Sequence, residues 1–218
     1  MKVELLHATP LSVLVTAIRE CWDSGDRSDS KVVHERIDSD SNIEFPFWKL
    51  GHKDKLLIEN IIAKGHESVL EHISFSFRIS GISRACSHQL VRHRMASYSQ
   101  RSQRYVSESS CNVVIPESVK NNEEANDVFL NMLRNLKYSY NELVALGIPK
   151  EDARFVLPNA CETSVVMTIN TRSLRNFFKL RMDKHAQWEI RELAMEIYNQ
   201  IPSEYRILFK DIVEVQND

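Results

Sequence analysis

Along the chain, apolar residues recur with helical spacing in some stretches and with alternate spacing in others. Leu11, Leu14, Val15 and Ile18 share one face, which predicts a helix from Leu11 to Trp22 after a short strand at residues 2–7. Residues 23–42 are polar and rich in Asp and Ser, and read as a surface loop. A second helix begins at Asp54, with a broad stripe of Leu56, Leu57, Ile58, Ile61 and Ile62, and stops at Gly65. Residues 72–80 alternate apolar and polar, as a half-buried strand does, until Gly81 breaks the run. Helical readings follow for Ile82 to His93 and for 122–146, the latter ended by Gly147 and Pro149. A buried strand at 163–170 and helices at Ser173–Arg181 and Gln187–Gln200 complete the pattern. Strands and long helices mix without a βαβ rhythm. This predicts an α+β fold, with an antiparallel or mixed sheet flanked by long helices, as a single domain over 1–218.

Composition narrows the classes. A domain of this length buries roughly 70% of the surface its unfolded chain exposes, so it needs no metal or disulfide to fold. The five glycines are too far apart for G-x-G-x-x-G or a phosphate-binding P-loop. Any nucleotide must then be held by side chains and helix ends. Cys21, Cys86, Cys111 and Cys161 form no C-x-x-C and read as reduced thiols in a cytoplasmic protein. No apolar run reaches the ~18 residues of a membrane span. Glu4 and His7 interrupt the N-terminal apolar stretch, so no signal peptide is expected.

Net charge is −2, but the charge is unevenly placed. Between Glu71 and Glu108 stand Arg78, Arg84, Arg92, Arg94, Arg101 and Arg104, with no acid and no Lys. Thr163 to Met182 is a second acid-free run, with Arg172, Arg175, Lys179 and Arg181. Such runs are commonly solvated basic faces, and a nucleic-acid surface is another reading. Local, mostly guanidinium charge in a slightly acidic chain fits small polyanions better, because the planar fork matches phosphate and carboxylate. Arg84, His88 and Arg92 fall on one helical face. The stretch from Arg92 to Tyr105 is almost wholly hydrogen-bonding, which suits neither a core nor an idle surface.

Four segments carry a family likeness. Arg92-His93-Arg94 is followed after seven residues by Ser102. Gly65-His66-Glu67-Ser68 runs on to Glu71-His72. Arg154 precedes Leu157-Pro158. Asn170, Arg172, Ser173, Leu174, Asn176 and Phe177 lead to Leu180-Arg181 and His185-Ala186-Gln187-Trp188-Glu189. In this order, over about residues 64–190, they resemble the flavin-dependent thymidylate synthases. Two places depart from that pattern. Ser99-Gln100 stands where the family often has Asn-Glu, and Ile18-Arg19-Glu20-Cys21-Trp22 matches its N-terminal motif only loosely.

The resemblance implies reductive methylation of dUMP to dTMP without a covalent enzyme nucleophile. Methylenetetrahydrofolate and NADPH would be co-substrates and FAD the cofactor, in a homotetramer with shared sites and no nucleic-acid or membrane partner. By position, Gln89, Arg92, Gln100, Arg101, Ser102, Gln103, Arg104, Arg154 and Arg181 would hold dUMP. Ser68, Arg92, His93, Arg94, Met95, Gln100, Asn170, Arg172 and Asn176 would hold FAD, and His66 would lie beside the flavin where folate stacks. Arg181 would be the catalytic residue, favouring ionisation at N3 of uracil.

Bland readings stand beside these. Arg181 ends the apolar stripe Leu174, Phe177, Phe178, where an arginine can simply snorkel. No metal site is expected, since H-E-x-x-H is absent and His66 and His72 would fall on different helix faces. Ser102 has no G-x-S-x-G elbow and could be a plain loop serine. Cys86 and Cys161 read as packing rather than nucleophiles. The rival from another class is a non-catalytic nucleotide- or RNA-binding module built on segment 84–104.

Overall fold

The computed structural model describes residues 1–36, 44–109 and 112–216. Cys111 and the 37–42 part of the stretch read as a loop lie outside them. In chain order the elements are β1 (Lys2–Ala8), α1 (Leu11–Glu20), β2 (Lys31–Arg36), β3 (Glu44–Lys49), α2 (His52–Ala63), β4 (Ser74–Ser83), α3 (Arg84–Leu90), β5 (Ala96–Gln100), α4 (Glu117–Lys120), α5 (Glu123–Ala145), α6 (Lys150–Ala153), β6 (Glu162–Asn170), α7 (Thr171–Arg181), α8 (Trp188–Asn199) and α9 (Lys210–Gln216). Short 3-10 turns occupy Gly25–Arg27, Glu67–His72, Arg154–Val156 and Ser203–Leu208. The main sheet is antiparallel, in the order β1-β4-β6-β5, and β2 and β3 form a separate two-stranded ribbon. The fold is α+β.

The residues group into two compact units. One takes Met1–Val3, Arg78–Arg94 and Tyr98–Met167, the other Glu4–Phe77, Met95–Ser97 and Thr168–Asp218. In the second unit the alternation of β4 buries Phe75 and Phe77, while α7 contributes Leu174, Phe177 and Phe178 and α8 contributes Ile190, Leu193 and Ile197. Their rings meet edge-on, Phe178 against Phe209 at 5.3 Å and Phe75 against Tyr205 at 5.4 Å. In the first unit Ile79, Ile82, Cys86, Leu90, Tyr140, Cys161 and Met167 are fully buried. Cys86 and Cys161 are thus core residues, as their sequence setting suggested.

Three sequence expectations need correction. Part of the 23–42 stretch is strand: β2 pairs antiparallel with β3 from Lys31↔Lys49 to Arg36↔Glu44. Its polar flanks hid it, and so did Pro46 in β3, a residue that a two-stranded ribbon tolerates because one edge needs no donor. Gly81 does not end β4. It adopts φ +71° inside the strand, and a Cβ there would lie 3.3 Å from the Met1 backbone. The helix read from Ile82 to His93 is therefore only α3. Ser83 still belongs to β4 and caps the helix, its Oγ accepting from Cys86 N at 2.9 Å. Arg92 lies past the end of α3, in a turn where its N–H donates to the Gln89 carbonyl at 3.2 Å. It does not continue the face of Arg84 and His88.

Candidate active site

In the first unit, the end of β5 and the loop after it carry Gln100, Arg101, Ser102, Gln103 and Arg104. The Arg101 N–H donates to the Ser164 carbonyl at 2.9 Å, anchoring this segment to β6. The Gln100 amide donates to Ser87 Oγ at 2.9 Å and to Thr163 Oγ1 at 3.2 Å. Ser87 Oγ itself donates to the Arg84 carbonyl at 3.0 Å. It therefore has only acceptor capacity for residue 100. This is a physical reason for Gln, not Glu, at that position.

Arg84 reaches the Arg101 carbonyl at 2.7 Å, and the Arg101 guanidinium pairs with Glu108 at 3.2 Å. Glu108 is 1% exposed, and its N–H donates to Tyr140 Oη at 3.2 Å. Two buried atoms here lack partners, Arg84 Nε and Glu108 Oε1. Burial pushes the Arg84 guanidinium below its ordinary range; Glu108 opposes this, while Arg101 and Arg154 push it further down. Burial raises the Glu108 carboxyl against the pull of Arg101 and Arg84. Two guanidinium groups, Arg84 and Arg101, thus act on one buried acid, Arg154 adds positive charge felt at Arg84, and an anion would relieve the excess charge. Arg154 donates to the Glu151 carbonyl at 3.0 Å, and Arg104 pairs with the Glu151 carboxylate at 2.9 Å. Both arginines are therefore held at one residue. Ser102 Oγ accepts from the Arg104 N–H at 3.2 Å, a turn-forming contact.

Arg92, His93 and Arg94 leave the end of α3 as irregular chain. Tyr98, which sequence reasoning did not single out, fixes this segment. Its hydroxyl lies 3.0 Å from the Leu90 carbonyl and 2.9 Å from that of His93, sharing one proton between them. Burial pushes this phenol up to about 12. Gln89 is part-exposed on α3.

In the second unit, His66 and Ser68 sit at the start of the 3-10 turn Glu67–His72. Ser68, Cys21 and His72 line one cavity of about 670 Å³, together with Val13, Thr16 and Val69. The loosely matched N-terminal segment thus places Cys21 beside a predicted flavin contact. The small, mostly apolar lining can receive a flat ring, so these residues fit a flavin. Asn170 caps α7, its Oδ1 accepting from Ser173 N at 2.9 Å, which leaves its amide protons for a ligand. Arg172 pairs with Glu71 at 2.6 Å. Met95 and Asn176 are exposed, and Arg181 is half-buried at the last position of α7 beyond the buried Leu174, Phe177 and Phe178.

The buried arginine of α7 is Arg175, which the stripe analysis passed over. It is 2% exposed and pairs with Asp211 at 2.7 Å and Glu67 at 3.0 Å, tying the segment beside His66 to the start of α9. A lone Arg one place from Leu174 gives no sequence signal. Its acids stand 36 and 108 residues away. Among the described residues no cluster of three His, Cys, Asp or Glu could hold a metal. No helix among them is long and apolar enough to cross a membrane.

The arrangement offers an anion guanidinium side chains rather than a glycine loop. Residues 4–205 match the family model described as thymidylate synthase complementing protein. A flavin-dependent thymidylate synthase of Geobacter sulfurreducens is 42% identical over 97% of this chain and 86% of its own length. One from Clostridium tetani is 36% identical over 96% and 86%. The crystal structure of the Helicobacter pylori enzyme complexed with FAD and dUMP superposes with a TM-score of 0.76 at 31% identity, covering 97% of this chain and 99% of that one. The chain belongs to the flavin-dependent thymidylate synthases. These likenesses do not favour a non-catalytic RNA-binding module.

Proposed function

We propose that this chain, as one catalytic domain, converts dUMP to dTMP in a cytoplasmic homotetramer, with methylenetetrahydrofolate as carbon donor and NADPH as reductant. The observation that carries the reading is the excess of guanidinium over acid here: Arg84 and Arg101 act on the buried Glu108, Arg154 adds positive charge at Arg84, and Arg84 Nε and Glu108 Oε1 are left without a partner. A phosphomonoester is the anion that such a group suits, and the Helicobacter pylori relative binds dUMP.

In this reading Arg101, Ser102, Gln103, Arg104, Arg154 and Gln89 hold the nucleotide. Arg92, His93, Arg94, Met95, Ser68, Gln100, Asn170, Arg172 and Asn176 contact FAD, with Arg92 serving both ligands and His66 beside the folate. FAD supplies the hydride chemistry when bound. Arg181 places positive charge where negative charge develops on uracil, favouring loss of the N3 proton and polarising the ring for attack. In this reading no side chain bonds to dUMP, which the burial of Cys86 and Cys161 and the turn-forming contact of Ser102 support for those three residues. The test is dTMP formation from dUMP, methylenetetrahydrofolate and NADPH with and without FAD. Turnover that needs all four is expected; none at saturating FAD overturns the assignment.

A further inference from the structure

A second concavity lies within the Glu4–Phe77 part of the chain, apart from the cavity of Cys21 and Ser68. It encloses about 360 Å³ between the end of α1, the turn after it, the C-terminal half of α2 and His66. Arg27, Lys64 and His66 line it together with Leu57, Asn60 and Trp22. No acid lines it. Arg19 also reaches it, but its charge is already matched by Asp54 beneath.

The side chains of Arg27 and Lys64 make no hydrogen bond or ion pair with any described residue, and both residues are exposed. Single cations at helix C-termini are ordinary, because they oppose the helix dipole. Three cationic or titratable groups converging on one hollow beside an indole are not accounted for in that way. Trp22 is 67% exposed, and the turn presenting it passes through Asp23 at φ +44°, a backbone conformation uncommon for a residue with a side chain. An indole kept in water beside unpaired cations is suited to stack on an aryl group whose anionic end lies on the cations.

We propose that this hollow takes the anionic, aryl-bearing tail of a co-substrate, with the ring on Trp22 and Leu57 and the anion on Arg27 and Lys64. The inference rests on the proposed function, which offers two sources of that chemistry. One is the aminobenzoyl-glutamate end of the folate, whose other end would meet His66. The other is the adenosine 2′-phosphate of NADPH.

Trp22 provides a readout that needs no turnover. The full chain is titrated with p-aminobenzoyl-glutamate, its triglutamate and adenosine 2′,5′-bisphosphate, while tryptophan emission is followed. Quenching by one of the two classes is expected. It should be absent in Trp22→Phe, and Arg27→Ala/Lys64→Ala should weaken it at least ~10-fold through loss of charge-assisted contacts. Quenching by the glutamates assigns the hollow to folate, and quenching by the bisphosphate assigns it to NADPH. No quenching by either, or undiminished quenching in the double variant, overturns the proposal. A parent protein that makes dTMP but shows no quenching loses only this site. One that binds these probes but makes no dTMP keeps the site and loses the proposed activity.

Discussion

Arg181 and the cysteines divide the mechanism between them. If catalysis is electrostatic polarisation of uracil, Arg181→Ala should lower turnover ~100-fold with FAD bound, since one preorganised contact is worth ~3 kcal/mol. A chain with all four cysteines replaced by Ala should still make dTMP; loss of turnover there, with flavin and dUMP still binding, would reinstate a thiol nucleophile. Glu108 offers a separate check on the arginine crowd. Burial raises its carboxyl above the ordinary 4.5, so its stabilising contribution is present at acid pH and is lost as pH rises through the raised value. Glu108→Gln cannot titrate. Calorimetric melting of both proteins should show the variant gaining relative to the parent as pH climbs from 4.5. A difference independent of pH would remove Glu108 from the electrostatics of the site.

At the scale of elements, periodicity found what repeats and missed what is assembled. α5, α7, α8 and β6 were readable because their apolar faces recur at 3.6 or 2 residues. β5 was not, because Ala96–Gln100 is nearly all polar and becomes a strand only by pairing at the end of the sheet order. The family motifs marked Gln100, Arg154 and Asn170, but that Gln100 donates to Ser87 and Asn170 caps α7 follows only from the folded chain. Asp54 illustrates the same limit. The helical pattern gave it only the start of a helix, whereas it is fully buried and bound by the Arg19 Nε at 2.8 Å and by the hydroxyls of Ser28 and Ser30. Burial raises its pKa, and these partners bring it below the ordinary 3.8. Its stabilising contribution is therefore present above 3.8 and lost as pH falls through the depressed value, opposite in sign to Glu108. Asp54→Asn, which strands Arg19, should cost ~3–5 kcal/mol in urea unfolding at pH 7. The deficit should shrink as pH falls below 3.8, and a constant deficit would show that the carboxylate charge is not what binds α1 to α2.

The whole molecule is expected to work as four copies. α5 is 23 residues long, yet only Leu133 and Tyr140 are buried on it, while Val128, Met132 and Tyr138 are 68%, 56% and 66% exposed. Val128 and Met132 lie one turn apart, and an exposed apolar patch of that kind is what a symmetric interface covers. Light scattering at micromolar concentration should give about 100 kDa from 25.3 kDa chains. Val128→Asp/Met132→Asp should lower both mass and activity. Full activity from a monomer would contradict sites shared between subunits.

Cys21 gives the protein a chemical handle. Of the three described thiols it alone is exposed, while Cys86 and Cys161 are sealed in the core. It shares a cavity wall with Ser68, so the proposed placing of flavin there can be tested by alkylation chemistry, without catalysis or colour. Iodoacetamide followed by peptide mapping should modify Cys21 within minutes in the cofactor-free protein and far more slowly once FAD is added, with dUMP alone giving no shelter. Equal labelling in the two states would move the flavin away from α1. A covalent dye at this thiol would then be a ready competitor for the cofactor, directed at the enzyme through a residue that the proposed mechanism does not use.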